Sequence, residues 1–119
     1  MKKLLILLWL TLAILPIACA RTHNEAYYQD KWCSVNNGQT EYRLEDYTRV
    51  DCLTDTHTIE FDFAKKWAES IGQSLHYARM TDKKAGIVLI IEKDKDIVYY
   101  NRIKPLCEQL GITLWKIDQ

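Results

Sequence analysis

The chain has 119 residues, with 16 Lys and Arg against 16 Asp and Glu, so its formal net charge is zero. That balance excludes a chain-wide basic field of the kind that holds a polyanion, and any nucleic-acid contact must rest on local geometry. The length suits one small domain.

Residues 1–20 read as an address. Met1-Lys2-Lys3 is a basic start, residues 4–15 form an apolar run broken only by Thr11, and Pro16 precedes the small-residue segment Ala18-Cys19-Ala20. This is the layout of a secretory signal peptide, too short for a comfortable transmembrane helix. Cleavage after Ala20 would give an exported product, periplasmic or secreted. A lipoprotein anchored at Cys19 is the alternative, although Leu15 lies one place too far from the cysteine for an ordinary lipobox. What remains is a single, slightly acidic domain over residues 21–119, with no transmembrane span and about 100 residues to build its core.

Cys33, Cys52 and Cys107 remain after cleavage. An oxidising compartment favours a disulfide. Cys107 falls on an apolar helical stripe and reads as a buried thiol, so the expected pair is Cys33 with Cys52. That bond closes a loop of about 20 residues and contributes about 3 kcal/mol in the chain-entropy model.

In chain order, Asn24 or Thr22 can cap a short helix through Glu25, Tyr27, Tyr28 and Trp32. Asn36-Asn37-Gly38 is a turn, residues 40–44 alternate as a first strand, and residues 45–48 connect to a second strand over residues 49–54. Residues 55–58 make the next turn before a third strand, residues 59–63. A loop at Thr56-His57, or a longer one over 55–58, puts Leu53 opposite Glu60 and Asp51 opposite Asp62. Side chains alternate between faces, so Asp51, Glu60 and Asp62 share one face while Ile59, Phe61 and Phe63 point to the other. Three like charges on one patch destabilise a sheet unless a cation or an ammonium compensates them.

From Ala64 the period becomes helical. Ala64, Trp67, Ala68, Ile71, Leu75 and Ala78 form an apolar stripe expected to pack on the sheet, and Lys66, Ser70, Gln73 and Tyr77 form a second stripe. Gly72 inside this helix suggests close packing. Residues 85–91 are continuously apolar, as in a strand covered on both faces. A second helix follows with the stripe Tyr99, Ile103, Leu106, Cys107 and Leu110, interrupted by Pro105 and ended by Gly111, and residues 112–117 form a last strand. The order α-β-β-β-α-β-α-β predicts an α/β or α+β layered sheet with helices on its faces.

This order, with Asp51 on the second strand, Glu60 on the third, and Gln73-x-x-x-Tyr77 on the following helix, resembles the PD-(D/E)xK phosphodiesterase superfamily over roughly residues 25–117. The resemblance implies a restriction-endonuclease-like αβββαβ core with an extra C-terminal helix and strand. It implies Asp51, Glu60, Lys66, Gln73 and Tyr77 as catalytic residues, with Asp51, Glu60 and Asp62 as ligands of Mg²⁺ or Mn²⁺. It also implies DNA or RNA as partner. The family's lysine two residues past the second acid is replaced here by Asp62. Lys66, on the stripe of Gln73 and Tyr77, is the best substitute, and Lys65 lies about 100° away in helical projection. The implied function is an exported metal-dependent nuclease. The alternative is a catalytically inactive relative that binds nucleic acid or a protein partner.

Four further groups have blander readings. Glu25 reads as a helix-start acid. Glu41 faces away from Asp51 if the first hairpin has a four-residue loop. His57 and His76 read as surface residues without metal-ligand spacing, and Trp32, Trp67 and Trp115 as core.

Overall fold

The computed structural model describes residues 22–118. The signal segment, its cleavage site and Cys19 lie outside the described residues. The fold is mixed α+β, a five-stranded sheet with three α-helices. Helix α1 (Glu25–Val35) is followed by strands β1 (Gln39–Arg43), β2 (Arg49–Leu53) and β3 (His57–Phe63). A 3₁₀ turn (Ala64–Lys66) leads into α2 (Trp67–Thr81), then β4 (Lys84–Ile91), α3 (Ile97–Leu110) and β5 (Thr113–Asp118). The strands lie in sequence order, β1 to β3 antiparallel and β3 to β5 parallel. Parallel pairing requires a long crossover connection, and here α2 and α3 supply the two. Among the described residues no helix is long and apolar enough to cross a membrane.

The sheet is covered on both faces, which is why β4 reads as an unbroken apolar run. Ala85, Ile87, Leu89 and Ile91 pack with Ala64, Trp67 and Ile71, and with Ile103 and Cys107 of α3. Val88 joins Ile59, Phe61, Cys52, Cys33 and Trp32, while Ile90 joins Phe63 and Tyr28. Asn24 caps α1, its Oδ1 accepting from the Tyr27 N–H at 3.0 Å. Cys33 and Cys52 form the expected disulfide, which ties α1 to β2, and Cys107 is a free, buried cysteine. In the Asn36-Asn37-Gly38 turn the left-handed residue is Asn37 (φ 54). Gly38 serves another need: a Cβ there would meet the two disulfide sulfurs at 2.4 and 2.5 Å.

Several expectations need correction. The hairpin between β2 and β3 pairs Leu53 with Thr58 and Cys52 with Ile59, two residues away from the expected register, and β3 begins at His57. Thr54 is the cause. Its N–H donates to the His57 carbonyl at 2.9 Å and its Oγ1 accepts from the His57 N–H at 3.0 Å, so the turn closes around Asp55-Thr56. A shift of two preserves faces, so Asp51, Glu60 and Asp62 stay together.

The first hairpin differs by one residue. Arg43 pairs with Arg49 across a five-residue loop, which Asp46 stabilises by accepting from the Thr48 N–H at 3.1 Å and hydroxyl at 2.6 Å. A shift of one reverses faces. Thr40 pairs with Cys52 and Tyr42 with Val50, which places Glu41 across from Asp51 rather than away from it.

Helix α2 is also turned from its expected orientation. Ser70, Ser74 and Tyr77 are its buried residues, Trp67, Ile71 and Ala78 flank them, and Ala68 and Leu75 are exposed. The serine hydroxyls donate to the Trp67 and Ile71 carbonyls within the helix, so small polar side chains are accommodated at the sheet. Gly72 meets nothing within 4 Å of an added Cβ and marks no close packing. On α3, Leu110 is exposed as well.

Candidate acidic active site

A cleft of about 470 Å³ opens where β2, β3 and α2 meet. Asp51, Glu60, Asp62, Lys66, Gln73 and Tyr77 all line it, together with Glu25, Glu41, Thr48, Arg49 and Glu69. Its position follows from local pairing. The β2–β3 ladder ends at Cys52–Ile59, and beyond it the Phe61 N–H donates to the Asp51 carboxylate at 2.8 Å. A side chain therefore takes the place of a ladder carbonyl where the strands part. The rotation of α2 brings Tyr77 against the sheet beside the acids. The 3₁₀ turn before it places Lys66 at the cleft; Lys65 and Lys66 are both exposed, and only Lys66 lines the cleft.

The three carboxyls sit in an environment that resists ionisation. Glu60 is 5% exposed and Asp62 6%. Burial raises Glu60 far above the usual carboxylate range, and the charges of Asp51 and Asp62 add to this. Burial also pushes Asp62 up to about 7, with Glu25, Asp51 and Glu69 acting in the same sense and Lys66 opposing them. Asp51 is raised by burial against the lowering effect of its bond from Phe61. Glu60 Oε2 and Asp62 Oδ2 are buried without any hydrogen-bond partner, a costly condition for a carboxylate oxygen. Tyr77 is pushed up to about 12, first by burial and then by Glu60 and Asp51. Its hydroxyl stays neutral and able to donate.

Some residues of the cleft lie outside the reading from spacing alone. Glu41 sits mid-strand at φ 53, in the left-handed region that costs a non-glycine residue of order 1 kcal/mol or more. Its Oε1 accepts from Gln29 Nε2 at 2.9 Å, and its Oε2 lies 3.6 Å from Arg49. The same Gln29 nitrogen donates to the Asp51 carbonyl at 3.0 Å. Gln29 is itself buried on α1, so one amide fixes both Glu41 and the Asp51 backbone. The Asp46-Tyr47-Thr48 turn was the available signal for Glu41, because an Asx turn lengthens the hairpin loop. No local pattern points to Gln29, whose partners are distant in sequence.

The two histidines are more engaged than surface residues. His57 lies in β3 between Thr56 and Thr113 at 2.8 and 2.9 Å, and burial lowers its pKa. His76 pairs with Asp46 at 2.6 Å. Among the described residues, no group of three or more His, Cys, Asp and Glu side chains is arranged to hold a metal ion. Asp51, Glu60 and Asp62 thus share a cleft without forming a ready three-ligand cage. No protein-family model, no curated protein and no solved structure matches the chain.

Proposed function

We propose that the protein is an exported, metal-dependent phosphodiesterase of the PD-(D/E)xK type, a nuclease acting on DNA or RNA. One observation carries this reading: Glu60 and Asp62, both buried beside Asp51, each hold an oxygen with no partner in a cleft that Lys66, Gln73 and Tyr77 also line. The donor set fits a hard cation despite the absence of a three-ligand cage, because Mg²⁺ is commonly bound through one or two carboxylates, with water and substrate phosphate completing its shell. Asp51, Glu60 and Asp62 are the residues that would hold it. Bound there, Mg²⁺ or Mn²⁺ supplies an activated water and neutralises charge on the phosphate.

The remaining work falls to the chain. Lys66 offsets negative charge growing on the phosphate, Gln73 holds a phosphate oxygen or a base edge, and neutral Tyr77 donates a hydrogen bond. The order of strands and helices supports a restriction-endonuclease-like core, and the buried disulfide suits an oxidising compartment.

The test is hydrolysis of labelled single-stranded and duplex DNA and RNA by the oxidised protein with Mg²⁺ or Mn²⁺. Asp51→Ala and Glu60→Ala are expected to abolish cleavage. Absence of cleavage together with absence of metal-binding heat would sink the reading. The second reading, an inactive module that binds nucleic acid or a protein, is favoured by Asp62 standing where the family has lysine. It predicts binding without cleavage under the same conditions.

A further inference from the structure

Asp51 is the point at which β2 gives up regular pairing on both sides. The β1–β2 ladder joins Thr40 to Cys52 and Tyr42 to Val50, and skips Glu41 and Asp51 between them. Towards β3 the ladder ends at Cys52–Ile59, and the Phe61 N–H donates to the Asp51 carboxylate in place of a ladder carbonyl. That exchange leaves the Asp51 carbonyl to be satisfied from elsewhere. We propose that Gln29 and Glu41 form a positioning pair that holds the Asp51 carboxylate at the cleft. The inference rests on the phosphodiesterase reading and deepens it by adding two residues that act through Asp51.

The pair is built from a buried amide and a strained strand residue. Gln29 is 2% exposed, and its Nε2 donates to the Asp51 carbonyl at 3.0 Å and to Glu41 Oε1 at 2.9 Å. A buried amide nitrogen carries two hydrogens and needs two acceptors. The carbonyl is one and Glu41 is the other. Glu41 fills that role at φ 53 inside a strand, a conformation that a non-glycine residue keeps only where its surroundings over-determine it. Arg49 stands 3.6 Å from the other oxygen of Glu41, too far for a hydrogen bond, so Gln29 is the partner that orients this carboxylate. Cys33, one turn along α1 from Gln29, is bonded to Cys52, the neighbour of Asp51. Helix and strand are therefore fastened where the amide acts. Partners that orient a metal-binding side chain typically carry a 10- to 100-fold effect on metal affinity, roughly as large as many direct ligands.

The experiment uses the purified oxidised protein in two arms. Without metal, amide hydrogen exchange at Phe61 reads the bond to the Asp51 carboxylate, with Val88, its ladder partner on β4, as the control. With Mn²⁺ alone, calorimetry reads affinity. Glu41→Gly removes the acceptor and the strain together. Its Tm is expected to hold or to rise by a few degrees, while Phe61 exchanges roughly 10-fold faster and Val88 does not change. Mn²⁺ binding is expected to weaken by roughly 10- to 100-fold. Gln29→Ala is expected to give the same two losses at a lower Tm. Glu41→Gln returns an acceptor to Gln29 without the charge and is expected to recover most of both. The proposal is overturned if Phe61 in Glu41→Gly exchanges as in the parent, or if Val88 quickens with it, which would mark a general loss of structure. It is equally overturned if Glu41→Gln binds Mn²⁺ as weakly as Glu41→Gly, which would make Glu41 a charge for the cation and not a positioning residue. The two readings fail separately. Mn²⁺ binding and hydrolysis by the parent, with Phe61 exchange unchanged in the variants, removes the pair and keeps the enzyme. Faster Phe61 exchange in the variants, with neither Mn²⁺ heat nor hydrolysis from the parent, keeps the pair and removes the enzyme.

Discussion

Asp62 carries the clearest pH signature of any side chain in the cleft. Its folded pKa of about 7 lies above that of an unfolded aspartate, about 4, so the folded state binds its proton more tightly. The contribution is fully present below about pH 4. It declines as pH rises towards 7, because the unfolded chain releases the proton first, and it is gone above about pH 7. Metal-free protein is therefore expected to lose stability between about pH 4 and 7, and Asp62→Asn to gain on the order of 2 kcal/mol at pH 8 and little at pH 4. Urea titrations of both proteins across that range provide the check, and parallel pH profiles would contradict the assignment. Gly38 makes an equally local prediction. Gly38→Ala forces a methyl onto both disulfide sulfurs, a site without slack, and is expected to cost about 1–3 kcal/mol or to leave free thiols. Thiol titration of the unfolded variant distinguishes those two outcomes.

Among the elements, α2 shows most clearly what a sequence pattern conveys and where it stops. The spacing of Lys66, Ser70, Gln73 and Tyr77 was readable, and so was their common side. The direction of that side was not, because hydropathy favoured Leu75 and Ala68 over Ser70 and Ser74. Serines at the sheet are tolerated only because their hydroxyls turn back to helix carbonyls, which depends on packing rather than on period. Strand β4 was legible because seven apolar residues in a row admit few other readings. The two hairpins were less so: Thr54 and Asp46 each use a side chain to set a turn, and one residue of difference in the first decided whether Glu41 reached the cleft. Gly72, free of any packing duty, gives a direct test on α2. Gly72→Ala is expected to stabilise the protein by about 0.5–1 kcal/mol, seen as a rise of a few degrees in Tm. An unchanged or lowered Tm would show that the position has a packing role after all.

At the scale of the whole molecule, stability is small and the disulfide is a sizeable part of it. Domains of this length retain roughly 5–15 kcal/mol, and a bond closing a separation of 19 residues contributes about 3 kcal/mol. The double variant Cys33→Ser with Cys52→Ser is expected to lower unfolding free energy by about that amount. Loss of binding or activity should follow, since Gln29 and Glu25 ride on the helix that the bond secures. Unchanged denaturant midpoints would remove the bond from the stability account. The pairing of cysteines was legible because only one of the three sat on a helical apolar stripe, whereas the meeting of α1 with β1 and β2 through Gln29 arises only once the chain is folded.

The same bond has a consequence for how copies of the protein behave together. Cys33 and Cys52 bracket β1, an edge strand of the sheet, and edge strands are the usual route by which chains exchange segments or add to one another. Helix α1 and strand β2 cannot part while the sulfurs are joined. A swapped dimer that trades α1 between neighbours is thereby closed to the oxidised protein and open to the reduced one.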